Sequence, residues 1–380
     1  MKLLEYQAKE VLSSLGIAVP PGAVARTPDE AAAACARLGP VAVKAQVPVG
    51  GRGKAGGIKL ARTPEEARAA AQQIIGMDIK GFKVPLVYCE TALDIAREIY
   101  VGFTVDRDAR ANVLLLSAKG GMDIEQVAEE SPDAIARLHP NPWRGPLDFE
   151  LNQLAFDAEL GELVRPLSSV IKKLYRAIPD YDALTAEINP LVVTKSGDVI
   201  AGDAKLEIDD NAAWRHRDLE QKYGSEIEGD PFEVEAKKRG LTYVSLDGEI
   251  GIIGNGAGLC MGTLDLVQRA GGRPANFCDI GGGAKAEVVE NALAVILMNP
   301  RVKGVVINVF GGITRGDEVA KGIVTARDNL HMKLPLVVRL SGTNEEEGRA
   351  ILKQHGIEPG VNAWEAAQKI VELTRAGAHA

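Results

Sequence analysis

Residues 50–57 read Gly-Gly-Arg-Gly-Lys-Ala-Gly-Gly, five glycines in eight positions between two apolar stretches. So few side chains let successive backbone N–H groups converge on one anion, with Arg52 and Lys54 adding positive charge beside them. Two familiar phosphate loops are excluded by position. Counting back from Gly53-Lys54, the first glycine of a P-loop falls on Pro48, and its hydroxyl position holds Ala55. A dinucleotide fingerprint runs from strand to helix, whereas here Val41–Val47 and Gly57–Ala61 both read as strands, so the loop joins two strands as a hairpin flap. A flexible surface linker is the other reading of a glycine run. Lys44, inside Val41-Ala42-Val43-Lys44-Ala45, weighs against it, because a lysine in a mostly apolar strand needs a partner for its charge.

At 380 residues the chain holds two or three domains, and a hydrophobic fraction of 46% supports their cores. A net charge of −8 without a long basic stretch argues against nucleic acid and anionic membranes as partners. Met1-Lys2-Leu3-Leu4-Glu5-Tyr6-Gln7 is too polar for a signal peptide, and no run of about twenty apolar residues is long enough to span a bilayer. Cys35, Cys89, Cys260 and Cys278 show no C-x-x-C spacing and read as reduced, mostly buried thiols of a cytoplasmic protein.

The first half mixes strands and helices irregularly. Strands are predicted at Val41–Val47, Gly57–Ala61, Val84–Glu90, Ile99–Val105, Asn112–Ser117, Ala186–Val193 and Asp198–Lys205, and helices at Leu3–Leu15, Pro28–Leu38, Pro64–Ile75 and Gln153–Ala177. Turn residues at 105–108 and 195–198 make part of this sheet antiparallel. The charged segment Ala204–Arg239 reads as a connection. From about residue 240, four strand–helix units follow at even spacing, which predicts a parallel, doubly wound α/β sheet after an α+β domain. Three of its strands end in glycines, at Gly254-Asn255-Gly256, Gly281-Gly282-Gly283 and Gly311-Gly312. Ligands of open α/β sheets bind beyond the carboxyl ends of strands, where helix N-termini attract anions. Each loop taken singly also reads as a tight turn that needs no ligand.

Strand alternation places Glu187 and Asn189 on one face, and a hairpin closed at Lys195–Asp198 brings Asn189 near Asp203. Such oxygen ligands suit magnesium, which takes one or two protein ligands and completes its shell with phosphate oxygens. Glu90 and Glu98 read either as nucleoside contacts or as ordinary surface carboxylates. None of His139, His216, His331, His355 and His379 lies in a glycine loop or beside the acidic cluster, and His216, between Arg215 and Arg217, reads as solvated. The chain therefore offers nucleotide, metal and anion sites but no phosphoryl acceptor. The acceptor is either a small substrate or a residue of a partner chain.

Over its whole length the chain resembles β subunits of the succinyl-CoA synthetase (succinate–CoA ligase) family. The resemblance is carried by Glu5-Tyr6-Gln7-Ala8-Lys9, the loop Gly50–Gly57, Ala186-Glu187-Ile188-Asn189-Pro190-Leu191-Val192, Asn255-Gly256-Ala257-Gly258, Asp279-Ile280-Gly281-Gly282-Gly283-Ala284 and Asn308-Val309-Phe310-Gly311-Gly312-Ile313. It implies an ATP-grasp domain over 1–239 and a flavodoxin-like domain over 240–380. It implies that Lys44, Arg52 and the backbone of Gly51 and Gly53 hold the phosphates of ATP or GTP. Glu90 and Leu93 would meet the purine, and Glu98 the ribose. Asn189 and Asp203 would ligate Mg2+, and Glu187 would position the phosphorylated histidine. Asn255, Gly312, Ile313 and Thr314 would form the succinate site.

The resemblance further implies that this histidine and the CoA site belong to an α subunit, in an αβ pair or an α2β2 heterotetramer of the tricarboxylic acid cycle. Many members carry His-Ala where this chain has Pro48-Val49, and proline restricts the flap's hinge. The segment Thr91-Ala92-Leu93-Asp94 varies among members, so the purine stays open. A malate–CoA ligase β subunit and a stand-alone ATP-grasp carboxylate ligase are the rival readings.

Overall fold

The structure, a computed structural model, describes residues 1–224, 230–282, 285–312, 314–357 and 359–376. It divides into two units, Met1–Glu228 and Gly229–Ala380.

Among the described residues the first unit has two large sheets and a small hairpin of Asp78–Ile79 with Phe82–Lys83. In the smaller of the two large sheets, Gly22–Ala25, Val87–Thr91, Val41–Ala45 and Ile58–Ala61 lie side by side, all antiparallel. The helices Pro28–Leu38 and Pro64–Ile74 cover one face. Both start the same way: Thr27 and Thr63 accept the backbone N–H three residues on, with proline at the first helical position. Their alanines let them lie close on Val41, Val43 and Ala45, all fully buried, so alternation leaves Lys44 on the other face. Register runs from Val41↔Ala61 to Lys44↔Ile58, and the glycine loop closes this hairpin as its sequence predicts.

The larger sheet orders Val199–Ala201, Ala183–Thr194, Ile95–Asp106, Ala111–Ser117 and Ala136–Leu138, with Lys205–Ile208 also on Ala183–Thr194. Its core includes Phe103, Leu114, Leu116 and Ile188 under the helices Asp148–Asp157 and Val164–Tyr175. Two expectations need correction. The helix expected over Gln153–Ala177 is two helices, broken where Glu159 takes φ 58° and Gly161 lies against the Phe156 ring with no room for a Cβ. The strand expected over Asp198–Lys205 is likewise two, and Gly202-Asp203-Ala204 forms the break. The expected connection Ala204–Arg239 thus begins with a strand of the main sheet.

The second unit has five strands in the order Thr242–Ser245, Asn276–Asp279, Ile250–Gly254, Gly304–Gly311 and Leu336–Gly342. The last four are parallel, as the strand–helix rhythm predicts, and Ile250–Gly254 is buried along its whole length. Thr242–Ser245 adds an antiparallel edge that the sequence reading missed. Four residues with only Tyr243 fully inward are too short to show a period. The helix Pro231–Lys238, capped by Asp230, packs in this unit through Ala236, so the division falls before that helix, ahead of the expected 239/240 boundary.

All four cysteines are free and buried, and burial raises the thiols of Cys89, Cys260 and Cys278 to about 12. At pH 8 about one in ten thousand of those three thiols is ionised. An aromatic disulfide reagent is therefore expected to label no cysteine of the folded chain within minutes and all four after denaturation. Rapid native labelling would contradict this burial.

Candidate functional site

The helix Glu5–Ser14 lays Glu5 and Lys9 on one turn-to-turn row, both buried. The strand Val41–Ala45 brings Lys44 to the same place, and the glycine loop turns Arg52 inward beside it. Lys9, Lys44 and Arg52 meet Glu5, Glu90 and Asp203, three cations against three carboxylates. Glu5 is shared. Its Oε1 accepts from Lys44 at 2.9 Å and Lys9 at 2.9 Å, and its Oε2 from Arg52 at 2.6 Å. Both lysines also reach the Gly202 carbonyl, Lys44 at 2.6 Å and Lys9 at 2.9 Å. Arg52 grips both oxygens of Asp203, at 2.8 and 2.6 Å, and donates to the Ala45 carbonyl.

Burial alone would push the Glu5 carboxyl up. Arg52, Lys44 and Lys9 outweigh it and hold Glu5 well below the usual carboxylate range. Burial likewise disfavours the charged forms of Lys44 and Arg52, but Glu5, Asp203 and, for Lys44, Glu90 raise both above their ordinary values. Lys44 and Arg52 stay charged at neutral pH. The partner that Lys44 needs is thus found, in residues the sequence reading did not pair with it. Glu5 and Lys9 entered only as part of a motif. Their spacing of four with opposite charge on an otherwise apolar helix face is the signal that points to them.

The acidic residues come from the strand Ala183–Thr194 and from the Gly202–Ala204 break. Gly202 and Asp203 both donate their N–H to the Pro190 carbonyl, at 2.9 and 3.4 Å, which holds Asp203 against the residue that follows Asn189. The Asn189 side chain is held by the Gly121 N–H at 2.8 Å and the Met122 carbonyl at 2.9 Å. Burial pushes the Glu187 carboxyl up, and Lys205, 4.0 Å away, offsets only part of this. Tyr100, which the sequence reading did not single out, is buried near Glu187, and burial and that carboxylate raise its phenol above the ordinary range. The amide oxygen of Asn189 and the carboxylate of Asp203 are hard donors on rigid backbone, a set that suits magnesium. Asp203 presents itself as an ion pair with Arg52.

Of the expected nucleoside contacts, Leu93 is half-buried and Glu98 exposed, while Glu90 is buried between Lys9 and Lys44 as their counter-ion. Lys54 is exposed and pairs with Asp123. His216 is not solvated as its neighbours suggest: it is buried, 2.7 Å from Asp182 and stacked on Tyr181.

In the second unit the strand-end loops are tied together. Asn255 donates to the Phe310 carbonyl at 2.9 Å and to the Thr314 hydroxyl at 3.1 Å, and accepts from the Phe310 N–H. Asp279 accepts from the N–H groups of Gly256 and Gly281 and so joins the first two loops. Gly256, at φ 109°, caps the helix Ala257–Arg269. Gly312 is exposed, and its carbonyl accepts from Thr343. Ile313 lies outside the described residues, as do Gly283 and Ala284. Phe310 is exposed, with the Arg339 guanidinium 5.7 Å from its ring centroid. Among the described residues no helix is long and apolar enough to cross a membrane.

Residues 2–193 match the ATP-grasp domain family and residues 253–371 the CoA-ligase family. The chain is 53% identical to the succinate–CoA ligase [GDP-forming] subunit beta of Thermus thermophilus, over 98% of this chain and 99% of that one. It is 50% identical to the succinate–CoA ligase [ADP-forming] subunit beta of Rubrobacter xylanophilus, over the whole of both. Among solved structures, ATP citrate lyase from Methanothrix soehngenii shares the fold, with a TM-score of 0.74 at 20% identity over 99% of each chain. With half its residues identical to these relatives from end to end, and both domain families in their order, the chain belongs to the succinate–CoA ligase β-subunit family.

Proposed function

We infer that the chain is the nucleotide-binding subunit of a succinate–CoA ligase, which with an α subunit interconverts succinate, CoA and nucleoside triphosphate with succinyl-CoA, diphosphate and phosphate. The observation that carries this reading is the buried pair Lys44 and Arg52 at the root of a glycine hairpin, beside Asn189 and Asp203. Two fixed cations next to two hard oxygen donors form a receptor for a metal-bound polyphosphate, and phosphoryl transfer needs chiefly positioning and charge neutralisation.

In this reading Lys44 and Arg52 bind the phosphate oxygens, and the loop backbone at Gly51 and Gly53 closes over them and excludes water. Asn189 and Asp203 hold Mg2+, which, when bound, neutralises phosphate charge. Leu93 and Glu98 line the nucleoside end, and Glu90 keeps the two lysines oriented. Glu187, its carboxyl raised by burial, positions the phosphorylated histidine of α and accepts a proton from it. In the second unit Asn255, Gly312, Ile313 and Thr314 orient the succinate carboxylate. The four buried thiols fit a reducing, cytoplasmic setting.

The test is co-expression with an α subunit and assay of phosphohistidine on α with ATP and with GTP, then of thioester formation with succinate and with malate. Succinate-dependent turnover that requires α is expected. Malate preference, or turnover by this chain alone, would replace the reading with one of its rivals. Asp203→Asn is expected to raise the magnesium concentration for half-maximal phosphorylation by about tenfold, because it removes one charged oxygen ligand. An unchanged magnesium dependence would remove Asp203 from the metal site.

A further inference from the structure

We propose that Glu5 is a positioning residue that holds Lys44 and Arg52 with the two oxygens of one carboxylate and so latches the Gly50–Gly57 loop shut until a metal-bound nucleoside di- or triphosphate takes those cations from it. The inference rests on the reading of that loop as the phosphate cover.

Glu5 Oε1 lies 2.9 Å from Lys44 and Glu5 Oε2 2.6 Å from Arg52, with the carboxylate 1% exposed. A carboxylate and a phosphate offer the same geometry to a guanidinium and an ammonium. Glu5 thus stands where phosphate oxygens would stand. Arg52 is the loop residue that reaches inward. It is 8% exposed, and it ties the loop to the helix through Glu5, to the hairpin break through Asp203, and to the flap's own strand through the Ala45 carbonyl. Beyond it the loop folds on itself: Ala55 donates to Gly51, Gly56 to Gly53 and Gly57 to Arg52.

The balance of three cations and three carboxylates explains why the exchange is possible. An incoming polyphosphate brings its own negative charge and its metal claims Asp203, so Arg52 and Lys44 exchange carboxylate oxygens for phosphate oxygens and are not left unpaired. Glu5 and Glu90 then keep Lys9, which reaches both already. Removing a buried carboxylate without such replacement leaves cations uncompensated. Glu5 therefore competes with the nucleotide for the same two side chains.

The experiment uses the purified complex with α. Hydrogen exchange of the Ala55, Gly56 and Gly57 amides is measured without nucleotide, and Mg-ADP binding is measured by calorimetry. Glu5→Gln is expected to speed loop exchange about tenfold and to tighten Mg-ADP about threefold or more, since the competitor is gone and the site is one charge more positive. Arg52→Gln, which leaves the Glu5–Lys44 and Glu5–Lys9 pairs in place, is expected to speed loop exchange as much but to weaken Mg-ADP. It serves also if Glu5→Gln does not fold. A purely structural Glu5 gives the opposite sign, weaker Mg-ADP on Glu5→Gln, and would overturn the proposal, as would unchanged loop exchange in both variants. If the unaltered complex does not bind Mg-ADP at all, it is the nucleotide reading that fails, and loop exchange in the two variants still decides the latch.

Discussion

Lys44→Met is expected to lower nucleotide-dependent phosphorylation of the α subunit by about a thousandfold or more, the scale seen when a fixed charge aimed at a reacting group is lost. The methionine stem refills the space of the lysine stem, so the strand Val41–Ala45 and the helices over Val41 and Val43 are not disturbed. What is lost is the ammonium that reaches Glu5, Glu90 and the Gly202 carbonyl together. Lys9 still bridges Glu5 and Glu90, so the cluster loses one of two shared cations rather than its only one. The stability cost is thus below the 3–5 kcal/mol of a fully orphaned buried charge, about 2 kcal/mol. The α–β complex is expected to form as before. Phosphohistidine assay, Mg-ADP calorimetry and size-exclusion chromatography on one preparation separate these effects. Full phosphorylation of α by this variant would remove Lys44 from the phosphate site and with it the central assignment.

The sequence was most readable where local chemistry and tertiary structure agree. Thr27-Pro28 and Thr63-Pro64 announce two helices whose starts need no other information. Three of the four parallel strands of the second unit, Ile250–Gly254, Gly304–Gly311 and Leu336–Gly342, are mostly apolar runs that end in glycine. The hairpin closed at Lys195–Asp198 was legible from its turn residues, and it pairs Leu191 with Ala201. Of the failures, one is a local break in a helix and the others come from contacts made far along the chain. Glu159–Gly161 breaks a helical pattern because the Phe156 ring closes on Gly161, which no period reveals. His216 is buried by Asp182 and Tyr181, thirty-four and thirty-five residues away, although both its neighbours are arginines. Glu5, Lys9 and Glu90 look like ordinary charged positions until Lys44 and Arg52 arrive from two other elements. A buried ion cluster balances charge in three dimensions, so its members are legible only as a set.

Gly342→Ala is expected to damage the second unit severely. Gly342 ends the strand Leu336–Gly342 opposite Gly311, with φ 101°, where an L side chain is strained. An added Cβ would lie 2.0 Å from the Gly311 carbonyl oxygen and 2.8 Å from its carbon, and these are backbone atoms that cannot swing aside. The two strand ends must therefore part. Gly311 also receives the Thr343 N–H, and Gly312 the Thr343 hydroxyl, so the displacement passes into the loop whose Thr314 meets Asn255. Strained backbone and overpacking together cost about 3 kcal/mol. Thermal unfolding of the second unit is expected to shift down accordingly, with succinate-dependent turnover falling about tenfold or more. Mg-ADP binding, which uses the first unit, is expected to hold. Gly312→Ala is the informative contrast, because its Cβ would meet nothing within 4 Å. That variant is expected to unfold like the unaltered chain yet lose turnover if the Gly312 backbone approaches the carboxylate of succinate. Full turnover by Gly312→Ala would move the acid-binding role off this loop, while unchanged unfolding of Gly342→Ala would mean that the strand ends part more easily than their pairing implies.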